Sequence, residues 1–288
     1  MILNLVYPEK SDIKYKVSKF PDGQQTIDFV DFFIGQFMGA SVQIKSRLNS
    51  FKDLELIICA NQILKNLGTS RIHLYVPYFL GARSDRRFQE GGVNYLKQVI
   101  CPIINSQDFA SVAVIDPHSD VLEACLNNFR KEDNLSLVDY ALESLNGRSA
   151  QTAIISPDAG ALKKIYDVAK KFNITNVTTA SKVRDIVSGN IVRTELPTMD
   201  LTDIEHIIII DDICDGGRTF IELAKEIKKQ TDKPIYLIVT HGIFSAGFNQ
   251  LSEIIDGVFA TNSVKDFDLS LYSDKIYDEK YLKQLNVF

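Results

Sequence analysis

The sequence predicts an α/β protein, and three observations carry the prediction. Short, solidly apolar runs recur along the chain, each run ends in acids and turn formers, and helical patterns follow them. Val112-Ala-Val-Ile115 leads into Asp116-Pro-His-Ser-Asp120, and Ala153-Ile-Ile155 leads into Ser156-Pro-Asp-Ala-Gly160. The third run, Ile207-Ile-Ile-Ile210, leads into Asp211-Asp-Ile-Cys-Asp-Gly-Gly217. Runs without polar alternation suit strands buried on both faces of a parallel sheet. The helical patterns cover 161–171 and 220–229. Polar groups collected beyond a strand's carboxyl end stand where open α/β sheets bind ligands.

The remaining elements follow in chain order. Ser50 and Asp53 form an S-x-x-D capping box, apolar residues follow at Leu54, Ile57, Ile58 and Leu64, and Gly68 closes the helix. A strand is predicted over 72–76, with Pro77 helping to end it. The polar, arginine-rich loop from Tyr78 to Gly92 has the length of a functional or disordered loop. The stretch 127–149 has the weakest pattern and is the expected junction between domains 1–139 and 140–288. A further strand is predicted over 176–179, ahead of Lys182-Val-Arg184.

Composition narrows the function. A chain of 288 residues, 45% of them hydrophobic, has material for two buried cores. A net charge of -5 argues against a nucleic-acid binder that works by neutralising phosphates. Cys59, Cys101, Cys125 and Cys214 form no C-x-x-C pair and lie in or beside apolar stretches, as buried free thiols of a reducing compartment do. The four histidines lack zinc-site spacing, and no apolar run is long enough to span a bilayer. The expectation is a soluble, cytoplasmic protein without a membrane or nucleic-acid partner.

Five segments carry candidate chemistry, and the first four have a plain structural alternative. Asp211 and Asp212 at a strand end suit a vicinal diol, and the amides after Asp215, from Gly216 to Thr219, suit a phosphate. Alternatively Asp215 is an N-cap and the other two are solvated loop acids. Asp158, among small residues, lets a magnesium-bound diphosphate approach the backbone, or closes a capped turn. His118 sits beside two carboxylates, near a metal or a phosphate, or simply bonded to a neighbouring acid. Arg83, Arg86 and Arg87 offer paired donors for a triphosphate, or form a solvated basic loop. Lys182 and Arg184 face the same way on an extended segment, where both can reach a transferring phosphoryl group.

In order, these segments resemble the ribose-phosphate pyrophosphokinases (PRPP synthetases) over nearly the whole chain. Phe20-Pro-Asp-Gly23 resembles the segment that reaches a neighbouring subunit's adenine site. Pro77-Tyr-Phe with Ala82-Arg-Ser-Asp-Arg-Arg87 resembles the loop over ATP. Asp116-Pro-His-Ser, Ser156-Pro-Asp-Ala-Gly160, Lys182-x-Arg184 and Ile210-Asp-Asp-Ile-Cys-Asp-Gly-Gly217 resemble the metal, pyrophosphate, catalytic and ribose-phosphate elements. Thr240-His-Gly-Ile-Phe-Ser245 and Thr261-Asn-Ser-Val264 are similar to the closing segments.

The resemblance implies two tandem phosphoribosyltransferase-like (Rossmann-like) domains with mainly parallel sheets, an active site between them, and a homo-oligomer, dimer or hexamer. It implies ATP, Mg2+ and a phosphorylated ribose. Lys182 and Arg184 would be catalytic, and Phe20, Asp22, Gln24, Arg83, Ser84, Arg86 and His118 would bind ATP. Asp211, Asp212, Asp215, Gly216, Gly217, Arg218 and Thr219 would bind the ribose phosphate, with His118 and Asp158 at the metal.

The chain also departs from the pattern. Gln24 and Ser84 replace Glu and Gln on the adenine side, and Val121 and Cys125-Leu126 replace Gln and Phe-Phe. The family's Asp-Thr-Gly-Gly-Thr becomes Asp215-Gly-Gly-Arg-Thr219. An added guanidinium beside smaller neighbours fits a 5-diphosphoribose such as ADP-ribose; the alternative is drift, with Arg218 in solvent. A phosphoribosyltransferase would leave the arginine loop without a role. A catalytically silent subunit would be expected to have lost Lys182 and Arg184, which are both present.

Overall fold

Each apolar run becomes a strand because successive residues have a buried neighbour on alternate faces. The structure is a computed structural model and describes residues 1–145, 149–184, 191–268 and 281–288. It divides into two compact units, Met1–Asp133 with Val287–Phe288, and Asn134–Asn286.

In the first unit β1 (Ile2–Asn4), β4 (Ser41–Lys45), β5 (Arg71–Tyr75), β6 (Ser111–Ile115) and β7 (Phe129–Glu132) form a parallel sheet in the order β1-β4-β5-β6-β7. The antiparallel hairpin β2 (Tyr15–Lys19) and β3 (Gln25–Phe29) precedes β4. Helix α1 (Phe51–Asn66) has the expected capping box: Asp53 N–H donates to Ser50 Oγ, and Ser50 N–H donates to Asp53 Oδ2. Gly68 leaves the helix at φ +83°, the conformation that favours glycine. A π-helical segment, Leu96–Ile100, runs into α2 (Cys101–Asn105), and α3 (Val121–Cys125) follows β6. Val42, Ile44, Ile72, Leu74, Val112 and Val114 join α1 in the core on one face of the sheet. On the other face Tyr75, Ala113 and Ile115 form a small apolar cluster against Val287 and Phe288, and Ser111 is buried beside it.

In the second unit β8 (Thr152–Ser156), β9 (Asn176–Thr179), β12 (His206–Cys214), β13 (Ile235–Gly242), β14 (Gly257–Thr261) and β15 (Leu282–Leu285) form a parallel sheet in the order β15-β14-β13-β12-β8-β9. Strands β10 (Ser181–Arg184) and β11 (Ile191–Glu195) make an antiparallel pair, with Lys182 opposite Thr194. Helices α4 (Leu135–Ser144), α5 (Leu162–Phe172), α6 (Arg218–Lys228) and α7 (Asn249–Ser252) complete the unit. Both faces are apolar: Ile207 and Ile209 of β12 enter one core with α6, and Ile208 and Ile210 enter another with α4 and α5.

One expectation, the burial of all four cysteines, needs correction, and the stretch 127–149, within which the two units divide, has more regular structure than its pattern suggests. The stretch 127–149 contains β7 and most of it is regular; β7 is an edge strand with polar, largely exposed residues, so it shows no apolar run. Helix α4 buries Leu137, Val138, Ala141 and Leu142. Cys101 and Cys214 are buried, but Cys59 and Cys125 are half-buried.

Candidate active site

The strand order of the second unit marks a position for chemistry. From β8 the chain moves outward to β9 and then returns to the other side of β8 with β12, so the order reverses between β8 and β12. Ligands of open α/β sheets bind outside the carboxyl ends of the strands at such a reversal. Register sharpens the position. The pairing of β12 with β8 stops at Ile209 opposite Ile155, whereas β12 continues beside β13 through Asp211, Ile213 and Cys214. The acids therefore belong to the strand itself and stand past the end of its neighbour.

Three carboxylates gather there. Asp212 is buried, Asp211 is half-buried, and the Asp212 N–H donates to Asp211 Oδ1 at 2.9 Å. Asp158 follows β8 and accepts from the N–H groups of Gly160 (3.0 Å) and Ala161 (3.3 Å), a turn that delivers the chain into α5. Loss of solvent, then the neighbouring Asp212 carboxylate, hold the Asp211 carboxyl well above the ordinary carboxylate range; Asp158 adds to the effect. Lys164 on α5 supplies a cation, its Nζ 3.9 Å from Asp212 Oδ2. Such a cluster is stabilised by whatever donates hydrogen bonds or positive charge to it, a sugar diol or a hard cation alike.

The following loop brings a helix N-terminus to the same edge. Gly217 is the N-cap of α6 at φ +80°, where an added Cβ would meet Leu251 at 3.1 Å. As a glycine, the N-cap has no side chain of its own to cap the helix, and Arg218 is the exposed first helical residue. Asp215 accepts from Ser245 Oγ at 2.6 Å, while Ser245 N–H donates to the Asp215 carbonyl at 3.1 Å. The loop after β13 clamps the neighbouring residue too, with Ile243 N–H on the Cys214 carbonyl at 2.8 Å. Phe244 holds this clamp at φ +44°, its ring buried 4.6 Å from that of Phe248. Behind it, buried His241 Nδ1 lies 2.9 Å from Ser263 Oγ. Ser245 was not among the sequence candidates; its signal was its place at the end of the strand paired with β12.

The first unit brings other candidates to one edge. Arg83, Ser84 and Arg86 follow β5, and His118 follows β6, the adjacent strand. Arg83, Arg86 and His118 are exposed, and Arg86 lies over the Phe88 ring at 5.5 Å. Asp116 turns the chain at φ +41° while its N–H donates to the Glu132 carbonyl at 2.8 Å. Phe20, Asp22 and Gln24 lie apart from these, at the tip of the β2–β3 hairpin, where Gln24 N–H donates to Asp22 Oδ1 at 3.1 Å. Lys182 and Arg184 lie on β10, and their side chains are outside the described residues. Among the described residues no group of three or more His, Cys, Asp and Glu is placed to hold a metal ion by itself. The oxygen donors at Asp158, Asp211 and Asp212 suit Mg2+ in kind, as a cation that keeps waters and shares phosphate ligands.

Comparison with known proteins agrees with this construction. Residues 175–278 match the family model described as phosphoribosyl synthetase-associated domain. The chain is 24% identical over 251 residues to ribose-phosphate pyrophosphokinase of Vibrio vulnificus (strain YJ016), covering 86% of this chain and 78% of the relative. It is 25% identical over 257 residues to the Sulfolobus acidocaldarius enzyme of that name, covering 88% and 84%. The solved phosphoribosylpyrophosphate synthetase from Mycobacterium smegmatis superposes with a TM-score of 0.76 at 17% identity, over 97% of this chain and 88% of that one. The fold is therefore of the phosphoribosyltransferase type, with two α/β units. Within that class, the curated relatives it matches over most of its length are ribose-phosphate pyrophosphokinases.

Proposed function

We propose that the protein is a Mg2+-dependent diphosphotransferase that converts ribose 5-phosphate and ATP to PRPP and AMP. The supporting observation is the carboxylate cluster beside the glycine N-cap of α6 at the strand reversal of the second unit. The C1 hydroxyl oxygen of the sugar attacks the β-phosphorus. A bond forms between that oxygen and the β-phosphorus, the bond to the α,β-bridging oxygen breaks, AMP leaves, and the hydroxyl proton is released. Bound Mg2+ would neutralise phosphate charge.

The chain's own residues do the positioning on which such transfers depend. Asp211 and Asp212 accept from the ribose hydroxyls, and the amides from Gly216 to Thr219, fixed by Asp215, hold the 5-phosphate at the start of α6. Arg83, Arg86 and His118 hold the triphosphate, and His118 and Asp158 stand at the metal. Lys182 and Arg184 stabilise the charge developing on the transferring group. Phe20, Asp22, Gln24 and Ser84 form the adenine side, in a cytoplasmic homo-oligomer. The chain works as an ATP-side part, 1–139, and a sugar-side part, 140–288.

One observation favours a second acceptor. Arg218 is exposed beside Gly216 and Gly217, an arrangement with room and charge for a 5-diphosphate ester such as ADP-ribose. AMP release from ATP, measured with ribose 5-phosphate and with ADP-ribose, separates the acceptors. Turnover of ribose 5-phosphate alone removes the second acceptor; AMP release with neither overturns the proposed reaction.

A further inference from the structure

Cys101 and Cys125 have no part in the proposed reaction, yet the fold sets their thiols together. Cys101 opens α2 and Cys125 closes α3. Asn105 lies four residues after Cys101, on the same face of α2. Its Nδ2 donates to the Cys125 carbonyl at 2.9 Å, and its Oδ1 accepts from the Asn127 N–H at 2.9 Å. These two hydrogen bonds seat the end of α3 against the face of α2 that carries Cys101. The thiols themselves are in hydrogen-bonding contact, in the core that buries Cys101 and against which Cys125 packs.

The two sulfurs differ in access. Cys101 is 1% exposed, whereas Cys125 is half-buried. Burial first, and then the neighbouring Cys125, push the Cys101 thiol up to about 12, so it is held protonated. Cys125 is therefore the sulfur that a small reagent reaches first, with Cys101 behind it. Cys59 is half-buried as well, but its charged neighbour is Glu55 and not a second thiol.

Both helices continue candidate ATP loops. The segment Leu96–Ile100 that runs into α2 is tied to the arginine loop. Leu96 N–H donates to the Ser84 carbonyl at 3.1 Å, and Asn94 Nδ2 donates to the Asp85 carbonyl at 2.6 Å. Helix α3 begins just after His118.

We propose that Cys101 and Cys125 are an oxidation site, closed to a disulfide by exchange with a low-molecular-weight disulfide. Cys125, through its thiolate, attacks one sulfur of the reagent and forms a mixed disulfide; the displaced thiolate takes up the proton that Cys125 gave up. The Cys101 sulfur then attacks Cys125 Sγ, and its proton leaves with the second reagent thiol. One S–S bond breaks in the reagent and one forms in the protein, which loses two hydrogens. Closure draws the sulfurs nearer than their present contact, so α2 and α3 shift the ends of both loops. That consequence for ATP rests on the proposed function; the bond itself does not.

Peptide mapping of the full chain tests it, after incubation with glutathione disulfide and alkylation of the remaining thiols in denaturant. The tryptic peptide 98–130 contains Cys101 and Cys125 and no other cysteine. It is expected to lose two hydrogens and carry no alkyl group, with neither Cys59 nor Cys214 joined to it. In C101S, Cys125 should be trapped as the glutathione adduct. A peptide that keeps two alkylated thiols overturns the proposal, as does an unmodified Cys125 in C101S. Calorimetric ATP titration should show affinity about fivefold weaker in the oxidised parent, and no change on the same treatment of C125S. Equal affinity before and after closure overturns the link to the loops. Failure of the reduced parent to bind ATP overturns the proposed function instead and leaves the bond standing.

Discussion

The two units use related parallel sheets differently. In the first, strand order runs one way from β1 to β7, and one face is largely polar. In the second, the order reverses between β8 and β12 and both faces are apolar. The reversal puts Asp211 and Asp212 past the end of β8, on a strand buried on both faces. A buried like-charged pair is costly to hold, so it belongs where packing is strongest. The first unit instead offers exposed arginines, Arg83, Arg86 and Arg87, on a long loop.

The largest effect that sharpens this contrast is on turnover. Lys182→Ala should lower kcat about a thousandfold, the scale of losing one charge-stabilising donor, with ATP affinity nearly unchanged. Steady-state AMP release and calorimetric ATP titration check this together, and a small loss of kcat would favour a silent subunit.

Next comes packing. Ile208→Ala, in the core between β12, α4 and α5, should cost about 2–5 kcal/mol in urea unfolding. Arg130→Ala, on the polar face of the first sheet, should stay within about 0.5 kcal/mol. Equal costs would break the comparison between the faces.

Asp211 gives a pH test of the same footing. Its carboxyl is raised in the folded protein, so it favours the fold at low pH, and that contribution is lost as pH rises through the raised value. Asp211→Asn should therefore melt higher than the parent at pH 8, with the difference shrinking toward pH 4, while sugar binding falls. A melting difference independent of pH would contradict the assigned cause.

The smallest effect concerns the clamp. Ser245→Ala removes the hydroxyl bonded to Asp215 and should raise KM for the sugar phosphate about fivefold, roughly 1 kcal/mol, with kcat unchanged. Ser245→Thr should restore most of the loss.

Much of this was legible in the residues, and the failures have causes. The isoleucine run of β12, the capped α1 and the strand Asn176–Thr179 announce themselves through local pattern alone. The continuation of β12 through Asp211 to Cys214 does not, because it depends on β13 as partner beyond the end of β8. The role of Asp215 depends likewise on Ser245, thirty positions away. Edge strand β7 hides in polar sequence, since an exposed edge needs no apolar run. The candidate loops were visible as motifs; the meeting of Asp158, Asp211 and Asp212 at one sheet edge required the strand order.

The most direct test is calorimetric titration of ribose 5-phosphate, in the presence of Mg2+ and a non-hydrolysable ATP analogue, into the parent and the Asp211→Asn/Asp212→Asn variant. Sugar binding should be lost in the variant while the analogue still binds with parental affinity. Retained sugar binding, or loss of the nucleotide instead, would contradict a sugar site at the strand reversal.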